Sequence, residues 1–391
     1  MLIISGCASD TTRYRCYHKQ EQLQQYGIES LVALHTEPAL FADVTPFDVV
    51  VLHRVPLDDA IHETIRQAHA LRRPVVFDTD DLIFDLPMVP WIRGLEKANK
   101  EEVDWFIENT RRCRATLDRC DLAFASTEYL AKHLRRLGKR ALVVRNCLSQ
   151  DLIRISERAI SKRRLQDDKV VLGYFSGTNT HDRDFVEASE AIITCLEDIP
   201  SLELMVVGPL EMDARYAAFG DRIRRLDLVP WQELPELIAQ VDINLAPLEL
   251  GNPFCESKSE LKYLEAAVVA VPTVATPTSA YSYAIQHRRN GLLASNREEW
   301  ETSLRLLISD QGLRARIGEN ARTHVLKDYS PVSGGRRLLL ALGAAVRGRG
   351  YPEDASLLAK SWFVLRRRGG PSLAHEIINY TRWRLSQLAN S

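Results

Sequence analysis

Short apolar runs at Leu2–Ile4, Val49–Leu52, Val75–Phe77, Leu122–Ala125 and Leu142–Val144 alternate with helical spacing over Tyr17–Tyr26, Asp58–Leu71, Lys100–Cys120 and Glu128–Leu137. Runs so short and so uniformly apolar predict strands buried on both faces, and their alternation with helices predicts a parallel sheet. Residues 151–168 break the pattern: they are polar and charge-rich, and predict a linker. Alternation then resumes, with strands at Val170–Phe175, Leu204–Val207, Ile243–Ala246, Thr273–Ala275 and Leu292–Leu293 and helices near 184–198, 232–240, 258–268, 297–309 and 311–327. The pattern predicts an α/β chain of two doubly wound parallel-sheet units, 1–150 and 169–330, with a ligand cleft beyond the carboxyl ends of the strands. Residues 331–391 predict a basic helical extension, in which Leu373, Ile377, Thr381, Leu385 and Leu388 trace one apolar stripe.

Composition narrows the classes. A length of 391 residues suits about two domains. The longest apolar runs, such as Val268–Val271, fall far short of the ~18 residues a membrane span needs. The opening Met1-Leu-Ile-Ile-Ser has no basic stretch and reads as a buried strand rather than a signal peptide. Seven cysteines without a Cys-x-x-Cys pair argue against a disulfide framework or a zinc site and suit the cytoplasm. The net charge of −1 hides an asymmetry: residues 331–391 carry ten Arg and Lys against three Asp and Glu. A nucleic-acid protein would carry its basic charge on the main domains, so no nucleic-acid partner is expected.

The densest chemistry lies in Asn252–Ala267, NPFCESKSELKYLEAA. Ser257-x-x-Glu260 has the form of a capping box, which predicts a helix starting there with free N–H groups suited to a phosphate. Lys258 adds a full charge at that end. Glu265 lies two turns on, beside an apolar face, where ribose hydroxyls would satisfy it. The plainer reading leaves Glu260 a cap and Lys258 a solvated first-turn residue.

This segment resembles the retaining glycosyltransferases of family 4, which have the GT-B fold. The resemblance is carried by Leu264-Glu265-Ala266, by Val271-Pro272-Thr273-Val274-Ala275-Thr276, by Asn290-Gly-Leu-Leu and by Pro235–Pro247. It covers about residues 170–330 well and 1–150 weakly. It implies a nucleotide-diphospho-sugar donor on the second domain, transfer with retention, and no catalytic metal or other cofactor. The family's first Glu would fall at Ser257, with Glu256 one place away. Where the family places Arg and Lys for the diphosphate, this chain has Thr178 and Asp184, with Gly177, His181 and Arg183 beside them. Val229 and Trp231 lie where the family contacts the base, although Trp231 equally suits packing.

In the first half, the resemblance aligns His53, at a strand end, with a His that faces the donor sugar; a structural His is the alternative. Arg13 and Arg15 follow the first strand in place of a glycine-rich loop and suit a phosphate or an anionic acceptor. Asp78, Asp80 and Asp81 crowd a strand end and need counter-charges or a role. Three readings of them compete: the metal motif of GT-A enzymes, the nucleophile motif of haloacid-dehalogenase phosphohydrolases, and an acceptor-side cluster paired with Arg13, Arg15 or Arg54. The last is favoured, with His53, Asp81 and Lys258 at the reaction centre. The expected activity is retaining hexosyl or deoxyhexosyl transfer to a glycan or lipid-linked acceptor in cell-surface polysaccharide biosynthesis. The rivals are a phosphohydrolase using Asp78 and Asp80 and a non-catalytic nucleotide-sugar-binding module. The basic, aromatic segment 352–391 suits a peripheral contact with an anionic membrane surface.

Overall fold

The computed structural model describes residues 1–163, 169–177 and 182–347. Two six-stranded sheets, each entirely parallel, form the two halves. The first runs in the order β2-β1-β3-β4-β5-β6, from strands β1 (Leu2–Ser5), β2 (Leu31–Leu34), β3 (Val50–His53), β4 (Val75–Thr79), β5 (Leu122–Ala125) and β6 (Ala141–Val143). The second runs β12-β11-β10-β7-β8-β9, from β7 (Val170–Phe175), β8 (Leu202–Val207), β9 (Ile223–Leu226), β10 (Ile243–Ala246), β11 (Thr273–Ala275) and β12 (Leu292–Leu293). This is the expected GT-B arrangement of two doubly wound units, and it removes the GT-A reading of the Asp-rich segment.

The central strands are buried on both faces, which is why they read as mostly apolar runs. β2 and β9 were not expected. Both are edge strands; only Ala33 of β2 is fully buried, and β9 exposes Arg224 and Arg225. In the first half, side chains fix where helices begin. Asp58 caps Asp59–Ala70, Asn99 and Glu102 form a capping box on Lys100–Arg119, and Thr127 caps Glu128–Arg136.

Two segments depart from expectation. The stretch expected as a linker contains a helix, Gln150–Lys162, capped by Ser149. Its polar face concealed a buried one, on which Leu152, Ile153 and Ala159 join the core of the second half. The helix Pro331–Arg347 then returns to the first half, where Leu338 and Leu342 share a core with Ile3, Val51, Val76 and Phe124. That return needs glycine: a Cβ on Gly335 would lie 2.5 Å from the Gln22 carbonyl oxygen. The proposed membrane segment 352–391 lies outside the described residues. Among the described residues, no helix is long and apolar enough to cross a membrane.

Candidate functional site

The strand ends β1, β3 and β4 place Cys7, His53 and Asp78 side by side. Arg15 binds Asp78 through two bonds of 2.8 Å, Lys19 joins it, and His53 Nδ1 lies 3.3 Å from the same carboxylate. Asp78 and Arg15 have no exposed surface. Arg15 also donates to the Val144 carbonyl at 2.6 Å and to Asn146 at 3.0 Å. Burial resists the Asp78 charge, but Arg15, Lys19 and His53 together hold its carboxyl well below the usual range. Asp78 and Arg15 are therefore a buried ion cluster and not acceptor contacts as expected. A hydrolase nucleophile must reach its substrate, so the same burial overturns the Asp78 phosphohydrolase reading. Local sequence could not show it, because the counter-charges Arg15 and Lys19 lie some sixty positions away, |i−j| 63 and 59.

The rest of the Asp-rich segment faces the cleft. Arg54, whose φ of 52° is left-handed, lies 3.5 Å from Asp80. Asp81 accepts a bond of 3.2 Å from Ser257 Oγ of the opposite half. Burial raises the Asp81 carboxyl to about 6, against the pull of Arg54 and Lys258.

On the second half, Asn252–Ala267 forms two short helices rather than one. Asn252 caps Pro253–Ser257, the backbone extends at Lys258, and a second helix runs Leu261–Ala267. The expected capping box is absent. Ser257 closes the first helix and donates to the Phe254 carbonyl at 2.7 Å. Glu260 precedes the second helix but makes no side-chain cap bond. It is buried, receiving Tyr329 Oη at 2.8 Å with Arg145 at 3.4 Å, and so serves the structure rather than a donor. Glu256 accepts from Ser279 N at 3.2 Å and tethers the next helix. The motif misled because Asn252-Pro253 starts a helix of its own upstream.

Lys258 is not a solvated first-turn residue. It lies 3.0 Å from Asp184, which also accepts from the Glu249 amide at 3.1 Å. Asp184 stands where the resemblance would place a cation, and it pairs with Lys258. Burial opposes its charge, but Asp184 outweighs it and raises the Lys258 pKa. Lys262, which sequence reasoning missed, lies in the first turn of the second helix. Its Nζ has no hydrogen-bond partner among the described residues and lies 4.0 Å above the Tyr174 ring. Burial pushes it down to about 8. The i, i+4 spacing of the two lysines was no signal, because the backbone is extended at Lys258 and the second helix begins only at Leu261.

Glu265 is met from the first half. Tyr14 Oη donates to it at 2.6 Å and Arg13 lies 3.8 Å away. Burial raises its carboxyl pKa, while Arg13 and Tyr14 pull it down. The Arg13 guanidinium also stacks 4.7 Å from the Trp231 ring, and its Nη1 is buried without a hydrogen-bond partner among the described residues. Arg13, Glu265 and Trp231 thus come together, whereas Arg15 is turned into the core. Both Val229 and Trp231 pack on the core of the second half. Arg183 pairs with Glu96 at 2.8 Å, beside a groove of about 1120 Å³ between residues 93–106 and residues 182–186 and 211–213. Gly177 is exposed, and Thr178 and His181 lie outside the described residues. Among the described residues no group of three or more His, Cys, Asp or Glu is placed to hold a metal ion.

Residues 170–310 match the family described as Glycosyl transferases group 1. No curated protein matches the chain. Among solved structures, Anabaena HepE in complex with UDP and glucose is 14% identical, covers 88% of this chain and 100% of its own, and has a TM-score of 0.57. A glycosyltransferase from Rickettsia africae is 12% identical, with 90% and 99% covered and a TM-score of 0.61. Sucrose-phosphate synthase from Thermosynechococcus elongatus is 13% identical, with 88% and 99% covered and a TM-score of 0.57. Residues 170–310 are thus similar to the glycosyl transferases group 1 family, and the chain as a whole has the GT-B fold.

Proposed function

We propose that the protein transfers a sugar from a nucleotide-diphospho-sugar to a glycan or lipid-linked acceptor, with retention of configuration and without a catalytic metal, in the building of a cell-surface polysaccharide. The observation that carries this reading is the pair Lys258 and Lys262 in the cleft, the second holding a buried ammonium with no hydrogen-bond partner among the described residues. A buried cation of that kind is costly unless an anion completes it. The diphosphate of a donor supplies one, and the Anabaena relative was solved with UDP and UDP-glucose.

In this reading Lys258, Lys262 and the backbone at Gly177 hold the diphosphate. Glu265 takes the ribose hydroxyls once Tyr14 releases it, and Trp231 with Val229 flanks the base. Negative charge grows on the diphosphate as its bond to the sugar breaks, and cations already in place stabilise that charge. Asp81 faces the reaction from the first half and accepts a hydrogen bond from the acceptor hydroxyl. His53, held by Asp78 and Thr11, orders the floor beneath the sugar. The acceptor approaches along the groove between residues 93–106 and 211–213.

The test supplies UDP-, GDP- and dTDP-sugars with glycan and lipid-linked acceptors, and follows the product's anomeric proton by NMR. A new glycosidic bond with the donor's configuration supports the proposal. An inverted product overturns the retaining assignment, and nucleotide binding without donor consumption favours a binding module.

A further inference from the structure

The two most exposed large apolar side chains among the described residues, Trp105 at 66% and Val186 at 65%, stand on opposite walls of the groove between the two halves. Neither serves the packing of its own helix. The helix Lys100–Arg119 turns Thr110, Cys113 and Leu117 inward, with Phe106 against the core, and Trp105 falls outside that face. The helix Asp182–Asp198 buries Phe185, Ala188 and Ile192 and leaves Val186 outside. Leu95 and Met212 join them in the lining, so the apolar surface is a patch rather than a scattered pair. A patch that the fold leaves in water marks a place where something docks.

The groove leads to the reaction centre. Asp182 and Arg183 of one wall directly precede Asp184, which pairs with Lys258 at 3.0 Å. From the other wall Arg93 reaches Glu249 at 2.6 Å, and the Glu249 amide donates to Asp184 at 3.1 Å. Arg183 with Glu96 at 2.8 Å and Lys97 with Asp182 at 3.0 Å tie the walls together. The lining also has a definite charge: six carboxylates stand against three cations, Arg93, Lys97 and Arg183. Arg215, which pairs with Asp213 at 2.8 Å from outside the groove, leaves that balance acidic.

We propose that this groove binds the acceptor as a chain of uncharged sugar rings, with Trp105 the platform on which a ring beyond the reacting one stacks. The inference rests on the transfer reading above and narrows its acceptor. A sugar ring presents C–H groups on its faces and hydroxyls around its edge. An indole takes the face, while carboxylates and guanidinium groups take the hydroxyls. A fatty chain in the groove would leave those charges against hydrocarbon, which is costly, so the glycan part of the acceptor occupies it and any lipid stays outside. A chain of uronates or phosphates would meet the acidic surplus and be repelled. The volume of about 1120 Å³ exceeds the roughly 300–1,000 Å³ that encloses a drug-sized ligand, so more than one ring fits.

The test labels the full-length protein with fluorotryptophan, assigns the Trp105 signal by its loss in Trp105→Phe, and follows that signal by fluorine NMR. The probes are neutral hexasaccharides of glucose, of mannose and of galactose, a galacturonate hexamer, and phosphatidylglycerol vesicles. At least one neutral hexasaccharide should shift the signal, and the galacturonate hexamer should bind more weakly by roughly tenfold at low salt. Trp105→Ala, at an exposed position that packing does not use, should weaken the neutral chain by roughly tenfold. In transfer to that chain the loss should appear in KM rather than in kcat. A Trp105 signal that no neutral hexasaccharide moves, or that the galacturonate hexamer or the vesicles move as readily, would overturn the proposal. Binding at Trp105 in a protein that transfers no sugar would sink the transfer reading alone, and transfer to a hexasaccharide with a KM indifferent to Trp105→Ala would sink this inference alone.

Discussion

Replacing Asp78 by Asn asks whether the Asp-rich strand end holds the first half together or meets a substrate. The Asp78 carboxylate serves Arg15 at 2.8 Å through each oxygen, Lys19, and His53 at 3.3 Å. Asn keeps the shape and removes the charge, leaving Arg15 and Lys19 buried beside one neutral amide. Removing one partner of a buried ion pair costs ~3–5 kcal/mol, because the remaining charge stays out of water. At ~2–4 °C per kcal/mol for a unit of this size, the first thermal transition should fall by roughly 6–20 °C. The pH dependence has a definite sign. Asp78 is depressed below its unfolded pKa, so its contribution is present above that pKa and is lost as the pH falls through the folded value. The gap between wild type and Asp78→Asn should therefore be full at pH 7 and close only in strong acid. Calorimetric melts from pH 3 to 8 measure it. A variant that melts within about 2 °C of wild type yet has lost turnover would refute the argument, because that drop is far below the cost of an uncompensated buried charge.

Three other outcomes are expected. Lys262→Ala should weaken nucleoside diphosphate binding by about 10–100-fold, since a bond to a charged group is worth ~1.5–3 kcal/mol; binding should also fade in wild type as the pH rises through about 8, where Lys262 loses its proton. Transfer should show an acid limb near pH 6, where the Asp81 carboxyl takes up a proton, and a pH–rate profile of Asp81→Asn lacking that limb checks the assignment. Gly318→Ala should destabilise the second half by ~1–3 kcal/mol in urea unfolding, because its Cβ would lie 2.1 Å from the Ala270 carbonyl oxygen and overpack a close approach.

The architecture was readable because central strands of parallel sheets are buried on both faces, and ten of the twelve strands could be picked out as short, mostly apolar runs. Of the two left unread, β9 is broken by the exposed Arg224 and Arg225, whereas β2 is an apolar Leu-Val-Ala-Leu run at the sheet edge that the sequence pattern did not single out. The site was less legible. Glu265 and Trp231 could be picked from local pattern, but their neighbours Tyr14 and Arg13 reach them only through the closure of the two halves. Ser257 and Glu260 illustrate the opposite failure. Their spacing matched a local motif, yet a tertiary partner claimed each one, Asp81 for Ser257 and Tyr329 for Glu260. Asp78 and Asp81 are three residues apart and alike in sequence. One is locked in the core by Arg15 and the other faces the opposite half, a difference set entirely by packing.

The central claim is that the two lysines of the second half hold the diphosphate of a sugar nucleotide. Isothermal titration of UDP, GDP and dTDP into wild type and into the double variant Lys258→Ala/Lys262→Ala tests it most directly, with melting curves confirming that the variant is folded. One nucleotide should bind the wild type, and its affinity should fall by more than about tenfold in the variant, as the loss of two charge-assisted contacts requires. Wild type that binds none of the three, or a folded double variant that binds as tightly as wild type, would contradict the account.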